Sequence, residues 1–249
     1  MCPVTITGPN EHPQLGKTLG VDFSPKKTCS FDCVYCGSPT TRKTMKREMF
    51  CPPDEVVSAV RDHVAEHELP QALLLTGSGE PTLYLGFGEM VRALRAVFPG
   101  VVCTLYTNGS LLSDPEVRRE VAACDPVMAN LNSVDAVTFA RIARPHRAVS
   151  VEATISGYKA LRRELTSQRF WMDGIFLRGV NDDADGLRAL GRVLSEIEPD
   201  LYTVRTTRRV IPGLCEPVDS SFRETVEAAW ADLGLHVVFS LPPAPPSVG

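Results

Sequence analysis

The chain has 249 residues, of which 43% are hydrophobic and 22% charged, and its formal net charge is −4. This size suits one large α/β domain or two small ones, and the composition is ordinary for a soluble globular protein. No apolar stretch is long enough for a membrane span or a signal peptide, so we expect a cytoplasmic protein, and the acidic balance disfavours nucleic-acid binding.

Short β-rich runs alternate with helical patterns along most of the chain. The predicted strands cover residues 18–23, 72–76, 101–106, 126–131, 170–177, 201–206 and 236–239. The predicted helices begin near Pro53, before Met90, at Asp114 or Pro115, at Ser150, at Asp183 or Asp185, and near Phe222. Strands that alternate with helices indicate a parallel sheet with crossover helices.

Six or seven such units in one chain favour a barrel over an open sheet. We therefore predict an α/β fold, a partial (β/α)6-type TIM barrel of parallel strands with outer helices, over residues 1–240. The Pro-rich residues 241–249 are predicted to form an extended or disordered tail. Polar groups follow successive strands, at residues 29–36, 77–80, 107–108, 130–132, 178–181 and 205–209. In barrels the chemistry occurs at the C-terminal strand ends, which predicts an active site there.

Three cysteines, Cys29, Cys33 and Cys36, form the run CSFDCVYC with the spacing C-x3-C-x2-C. Three thiolates this close can hold three corners of a [4Fe–4S] cluster and leave one iron open for a small molecule. The alternative is a zinc site with a remote fourth ligand, for which Cys51 is the candidate. Eight cysteines in a cytosolic protein indicate metal or redox chemistry rather than disulfides.

A second motif, GSGEPTL, begins at Gly77 directly after a predicted strand. Glycines at such a turn allow the backbone to approach a ligand closely. Following the cysteine run by one strand–helix unit, the motif resembles the GGEP segment of radical S-adenosylmethionine (SAM) enzymes. The resemblance extends to LGVDFSPKKTCSFDCVYC, LYTNGSLL, ARPH and GVND, and is strongest to the branch of the wyosine-type tRNA-modifying enzymes and their uncharacterised relatives. It covers roughly residues 13–210.

The resemblance implies a [4Fe–4S] cluster and SAM as cofactors, with reductive cleavage of SAM and hydrogen abstraction from a second substrate. The residues it implies for SAM are Gly77, Gly79, Glu80, Pro81, Thr107 and Asn108. Asn130 and Asn132 are candidates for the ribose hydroxyls, or else turn residues that bond their own backbone. His146 of ARPH is interpreted as a structural loop residue.

Two further sets of residues are candidates for the substrate. Arg205 lies near the end of the predicted strand at 201–206, and Arg208 and Arg209 fall just beyond it. An arginine there would bind a carboxylate or phosphate of the substrate or of SAM. Cys215 is the one remaining cysteine expected at the active-site end, and is the candidate catalytic residue. Cys103 and Cys124 are expected to be small buried side chains.

The chain departs from the tRNA-modifying enzymes, because it lacks their extra N-terminal cysteines and has only Cys2 there. We therefore expect a small-molecule or biosynthetic substrate. The alternatives are a tRNA- or peptide/protein-modifying enzyme, including a glycyl-radical activase, and a non-catalytic zinc or iron–sulfur module.

A basic group of residues flanks the cysteine run. Its members are Lys26, Lys27, Arg42, Lys43, Lys46 and Arg47. It is either a solvated face or a rim for an anionic substrate or an acidic electron donor. A flavodoxin or ferredoxin-type protein is the expected donor.

Overall fold

In the computed structural model of the protein, which describes residues 4–25, 27–38 and 42–243, eight strands form one continuous sheet. Across the sheet their order is β1 (Thr5–His12), β2 (Gly16–Asp22), β5 (Ala72–Leu75), β6 (Val102–Thr107), β7 (Val127–Asn130), β8 (Phe170–Phe176), β9 (Leu201–Thr206) and β10 (Val237–Ser240). A small separate ladder pairs β3 (Thr28–Cys29) with β4 (Arg42–Lys43). β1 runs antiparallel to β2, and every other neighbouring pair is parallel.

Helices connect the parallel strands. They are α1 (Pro53–Glu66), α2 (Phe87–Val97), α3 (Pro115–Val121), α4 (Ala136–Ala143), α5 (Val151–Glu164), α6 (Ala184–Ile197) and α7 (Phe222–Trp230), with a short 3₁₀ turn at Pro81–Leu83. Four begin with a capping side chain that accepts a backbone N–H, those of Asp114, Asp135, Ser150 and Asp183. Such caps satisfy donors that the first turn leaves unpaired, so they set where these helices start.

The sheet has two edges, β1 and β10, so the barrel is partial, as the strand–helix alternation predicts. Leu73, Leu75, Leu105 and Val127 are fully buried within the main hydrophobic core. The alternate residues of the same strands line a cavity on the other, inner face. This division follows from the two-residue period of strands.

The strand β1, which pairs with β2, and the helix α4 lie outside the predicted elements. β1 has the sequence TITGPNEH, is mostly exposed and lacks an apolar alternation, so no pattern marks it as a strand. The predicted strand at 18–23 is found as β2. The predicted tail lies outside the described residues from residue 244 onward. Within the described ranges, every helix is too short or too polar to cross a membrane.

Candidate active site

The cysteine loop, residues 29–36, follows β3 at the C-terminal end of the barrel. The amides of Asp32 and Val34 donate to two carbonyls in the last turn of α4, at 3.0 and 2.9 Å. Cys36 N–H donates to the carbonyl of Cys33 at 3.1 Å and closes a turn, while Cys29 ends β3. The loop backbone is therefore fixed by protein contacts.

The three thiols are partly buried, and none is in a disulfide. Burial, together with the charge of Glu80, raises the pKa of Cys29 to about 11. Burial and the charges of the other two thiols raise the pKa of Cys33 to about 12. Lys27 donates its ammonium to Cys36 Sγ at 2.5 Å. Thiols with a raised pKa stay protonated until a metal centre binds them, and its binding releases their protons.

The loop offers three free thiols, which matches a [4Fe–4S] cube that keeps one iron open, whereas a structural zinc site takes four ligands. Cys51 is buried and disulfide-bonded, so it cannot be the fourth ligand of the alternative zinc site. The interpretation of the cysteines as metal or redox residues rather than disulfides is therefore wrong for Cys51.

Glu80 joins the ends of β5 and β6. Its Oε1 accepts from the N–H and O–H of Thr82 at 3.1 and 2.7 Å, and from the O–H of Thr107 at 2.6 Å. Its Oε2 accepts from the N–H of Asn108 at 2.8 Å. Burial raises the pKa of Glu80, against the opposing effect of these four donors. Because Oε2 has a second lone pair, the carboxylate can accept one more donor. Pro81 starts the 3₁₀ turn that Glu80 caps.

The two glycines of the motif allow this turn to pack closely against neighbouring segments. A Cβ on Gly79 would lie 2.0 Å from the carbonyl oxygen of Thr28, and one on Gly77 would lie 2.1 Å from a carboxylate oxygen of Asp22. The N–H of Glu80 donates to the same Thr28 carbonyl at 3.0 Å. Close packing against protein thus explains both glycines, and their predicted contact with SAM stays a prediction.

We expect Gly79→Ala to destabilise the protein by roughly 1–3 kcal/mol or more and to reduce its iron content, because overpacking forces backbone shifts. The backbone that must shift is that of Thr28, next to Cys29. Thermal unfolding and iron analysis after anaerobic reconstitution measure both effects. Gly37→Ala is the matched control, since a Cβ there meets nothing within 4 Å. Equal melting temperature and iron content in the two variants would contradict this explanation.

Asn108 connects the Glu80 turn to the cysteine loop. Its side-chain amide donates to Ser30 Oγ at 2.9 Å and approaches Cys29 Sγ at 3.6 Å. Its Oδ1 accepts from the N–H of Ser110 at 3.0 Å, which forms a turn. Of the two residues predicted from the LYTNGSLL motif, Asn108 therefore lies between Glu80 and Cys29, while Thr107 bonds the Glu80 carboxylate.

Asn130 and Asn132 form a polar chain with Tyr35 of the cysteine loop. Asn132 Nδ2 donates to Asn130 Oδ1 at 2.6 Å and to Tyr35 Oη at 3.1 Å. Tyr35 donates in turn to Asn130 Oδ1 at 3.2 Å. Asn132 Oδ1 accepts from the N–H of Ile175 at 2.7 Å, so it crosslinks β7 and β8. These contacts contradict the alternative of asparagines bonded to their own backbone, and the ribose role stays a prediction.

The chain of polar groups continues to Asp173, which the sequence analysis missed. Asp173 is 5% exposed and accepts from Asn130 Nδ2 at 2.9 Å. Tyr106 donates to both of its oxygens, at 2.7 and 2.6 Å, and Arg205 donates at 2.9 Å. One signal could have found it: Asp173 is the only charged residue in the strand FWMDGIF.

A cavity of about 590 Å³ lies on the inner face of the barrel. Strand residues line most of it, and the turn after β1 and strand β10 line its two sides. The lining includes His12, Leu74, Tyr106, Met128, Trp171, Asp173, Arg205, Arg208 and Phe239. The cavity therefore combines an apolar and aromatic wall with a few charged groups, which is typical of a small-molecule site.

The three predicted arginines have different surroundings. Arg205 and Arg208 line the cavity, whereas Arg209 donates to the carbonyl of Cys36 at 2.9 Å and braces the cysteine loop. Cys215 is fully buried and packs beside Val34, away from the cavity lining. A catalytic role for Cys215 stays a prediction, to which this placement lends no support.

The residues around the cysteine loop are less basic than the sequence suggests. Arg42 and Lys46 both pair with Glu48, and Arg47 pairs with Glu120. Lys43 donates to the carbonyl of Arg144, and Lys26 lies outside the described residues. His146 donates its N–H to the carbonyl of Ser30 at 2.7 Å, in keeping with a structural role.

A parallel partial barrel with a three-cysteine loop at its C-terminal end is the arrangement of the radical SAM superfamily. The sequence matches the Radical SAM superfamily over residues 23–188, and the chain belongs to this superfamily. It is a radical SAM enzyme, and the cofactors of this superfamily are a [4Fe–4S] cluster and SAM. The resemblance found in the motifs is confirmed.

Several proteins are similar to this chain. A UPF0026 protein of Helicobacter pylori is 28% identical over 207 residues, which cover 81% of this chain and 67% of that protein. A UPF0026 protein of Methanocaldococcus jannaschii is 28% identical, with 81% and 63% coverage. A protein named GTPase Obg from Brachyspira hyodysenteriae is 30% identical, with 82% and 30% coverage. The chain thus spans about two thirds or less of the length of these relatives.

Solved structures share the fold at low sequence identity. A radical SAM methyltransferase from Sphaerobacter thermophilus has a TM-score of 0.68 and 16% identity, covering 92% of this chain and 67% of its own. TYW1 with a lysine-pyruvate adduct has a TM-score of 0.63 and 14% identity, with 86% and 73% coverage. These similarities confirm the predicted partial TIM barrel.

Proposed function

We propose that this enzyme reductively cleaves SAM and abstracts a hydrogen atom from a small-molecule or biosynthetic substrate bound in the cavity. One observation carries the proposal. Hydrogen bonds lead without a break from Tyr35 in the cysteine loop, through Asn132 and Asn130, to Asp173 in the cavity. A substrate there would lie beside the cofactors.

The roles of the residues follow from their positions. Cys29, Cys33 and Cys36 would hold the cluster, which together with SAM supplies the cleavage and hydrogen abstraction when both are bound. Glu80 has one carboxylate lone pair left for the ammonium group of SAM, and Asn108 lies between Glu80 and Cys29. Fixed polar groups of this kind orient reactants.

The cavity volume supports a small substrate. At about 590 Å³ it falls within the range of pockets that enclose drug-sized ligands. The alternative is a tRNA- or peptide/protein-modifying enzyme, for which part of a macromolecule would have to reach this cavity. A flavodoxin or ferredoxin-type protein remains our proposed electron donor.

The test uses anaerobically reconstituted enzyme with SAM and a chemical reductant. We expect 5′-deoxyadenosine to form and its yield to rise when the metabolite fraction of a cell extract is added. The Cys33→Ala protein is the blank. No 5′-deoxyadenosine from cluster-loaded enzyme would refute SAM cleavage. Stimulation by the RNA or protein fraction alone would replace the small substrate by the corresponding macromolecule.

A further inference from the structure

We propose that the substrate carries a carboxylate or phosphate group that Arg205 and Arg208 bind together, next to an apolar or aromatic body. The inference depends on the proposed function in one respect, that the cavity is the substrate site. It adds the chemical class of the substrate and the residues that recognise it.

Arg208 provides one of the two guanidinium groups. It is exposed, lines the cavity just beyond the end of β9, and forms no ion pair with any residue in the described ranges. An arginine has five N–H donors in a planar fork, which match the two oxygens of a carboxylate or phosphate. Arg208 therefore has its full set of donors available to a ligand.

Arg205 provides the other guanidinium group. Asp173 accepts one of its N–H groups at 2.9 Å, and 47% of the Arg205 side chain remains exposed to the cavity. Tyr106 and Asn130 fix Asp173 in turn, so the guanidinium is held in one orientation. A charged group that is already ordered loses less entropy when it binds a ligand. Asp173 is thus a positioning residue for Arg205.

The ion pairs of the cavity engage only one of the two arginines. Asp173 pairs with Arg205, while Glu11, the other acid of the lining, forms no ion pair with either arginine. Burial and the positive charge of Arg205 lower the pKa of His12, which disfavours a further positive charge there. Within the described residues Arg208 has no ion-pair partner, and an anionic ligand would supply one.

The rest of the cavity favours an apolar or aromatic body. Leu74, Met128, Trp171 and Phe239 line its walls, together with the ring of Tyr106. Aromatic and aliphatic surfaces of this kind gain free energy by removing apolar ligand surface from water. A free inorganic anion would leave them in contact with solvent.

The carboxylate of SAM is the competing ligand, and position argues against it. In SAM the carboxylate is attached to the carbon that bears the amine, so an amine at Glu80 places the carboxylate near the ends of β5 and β6. Arg208 follows β9, which is three strands from β6 in the sheet. At about 4.8 Å per strand this separation is on the order of 14 Å along the sheet.

The test is calorimetric titration of the cluster-loaded enzyme with benzoate, phenyl phosphate and the neutral analogue benzamide. We expect at least one of the two anions to bind and benzamide not to bind. Arg208→Gln should weaken the anion by roughly tenfold or more, since charge-assisted hydrogen bonds are lost. Preference for benzoate or for phenyl phosphate distinguishes a carboxylate from a phosphate substrate.

Arg178→Gln is the matched control, because Arg178 is exposed and paired with Asp219 outside the cavity. Arg205→Gln serves as a second test, with thermal unfolding to check the effect of removing the ionic partner of the buried Asp173. No binding of either anion, equal affinity in Arg208→Gln, or competition of the anion with SAM would each overturn the proposal. Anion binding needs no SAM cleavage, so these results are independent of the test of the proposed function.

Discussion

The Cys33→Ala protein should contain almost no iron after anaerobic reconstitution. A [4Fe–4S] cluster held by three thiolates loses a covalent ligand, and the two remaining thiols cannot close the site. Cys33 lies between the other two in sequence, and its pKa is raised to about 12 partly by the charges of Cys29 and Cys36. Ionisation of all three thiols therefore requires a metal cluster that binds each of them.

Iron content and the absorption of the cluster measure this effect, and Cys103→Ala is the control. Cys103 is also a buried thiol outside any disulfide, but it belongs to β6. Cys51→Ala should likewise keep its iron, because Cys51 is engaged in a disulfide. Iron in Cys33→Ala at the level of either control would remove this residue from the ligand set.

The framework of the barrel could be predicted because its signals are local. Parallel strands buried on both faces have dense apolar runs, and capping residues such as Asp114 and Ser150 indicate where helices start. β1 could not be predicted, because its residues are exposed and it exists only through pairing with β2. Strand pairing of this kind is set by tertiary context.

In the candidate site, too, some residues could be predicted from local motifs and others could not. The glycines, the cysteines and Glu80 lie within short motifs, so each motif can be recognised from a few neighbouring residues. The pairing of Asp173 with Arg205 depends on the register between β8 and β9, in which Asp173 faces Thr203 and Ile175 faces Arg205. The period of a strand indicates which face a residue occupies, but it does not indicate which residue of the next strand lies beside it.

Glu80→Gln is expected to weaken SAM binding by about tenfold to a hundredfold, since it removes a charge-assisted hydrogen bond in a buried site. The amide side chain of this variant would keep a carbonyl oxygen for the hydroxyls of Thr82 and Thr107. Its NH₂ group would replace the oxygen that accepts from Asn108 N–H. The affinity of the cluster-loaded enzyme for SAM, measured by calorimetry, reports the loss.

Glu80 also stabilises the folded protein, so a loss of stability has to be distinguished from a loss of SAM affinity. Glu80→Ala leaves the donors of Thr82, Thr107 and Asn108 unpaired, at a cost of about 1–3 kcal/mol for each buried group. Thr104→Val is the control, because it removes one buried hydrogen bond on β6, to the carbonyl of Pro126. It should lower the melting temperature and keep the affinity for SAM. If Glu80→Gln matched Thr104→Val in SAM affinity, Glu80 would be a structural residue that joins β5 to β6, and the amine of SAM would need another acceptor.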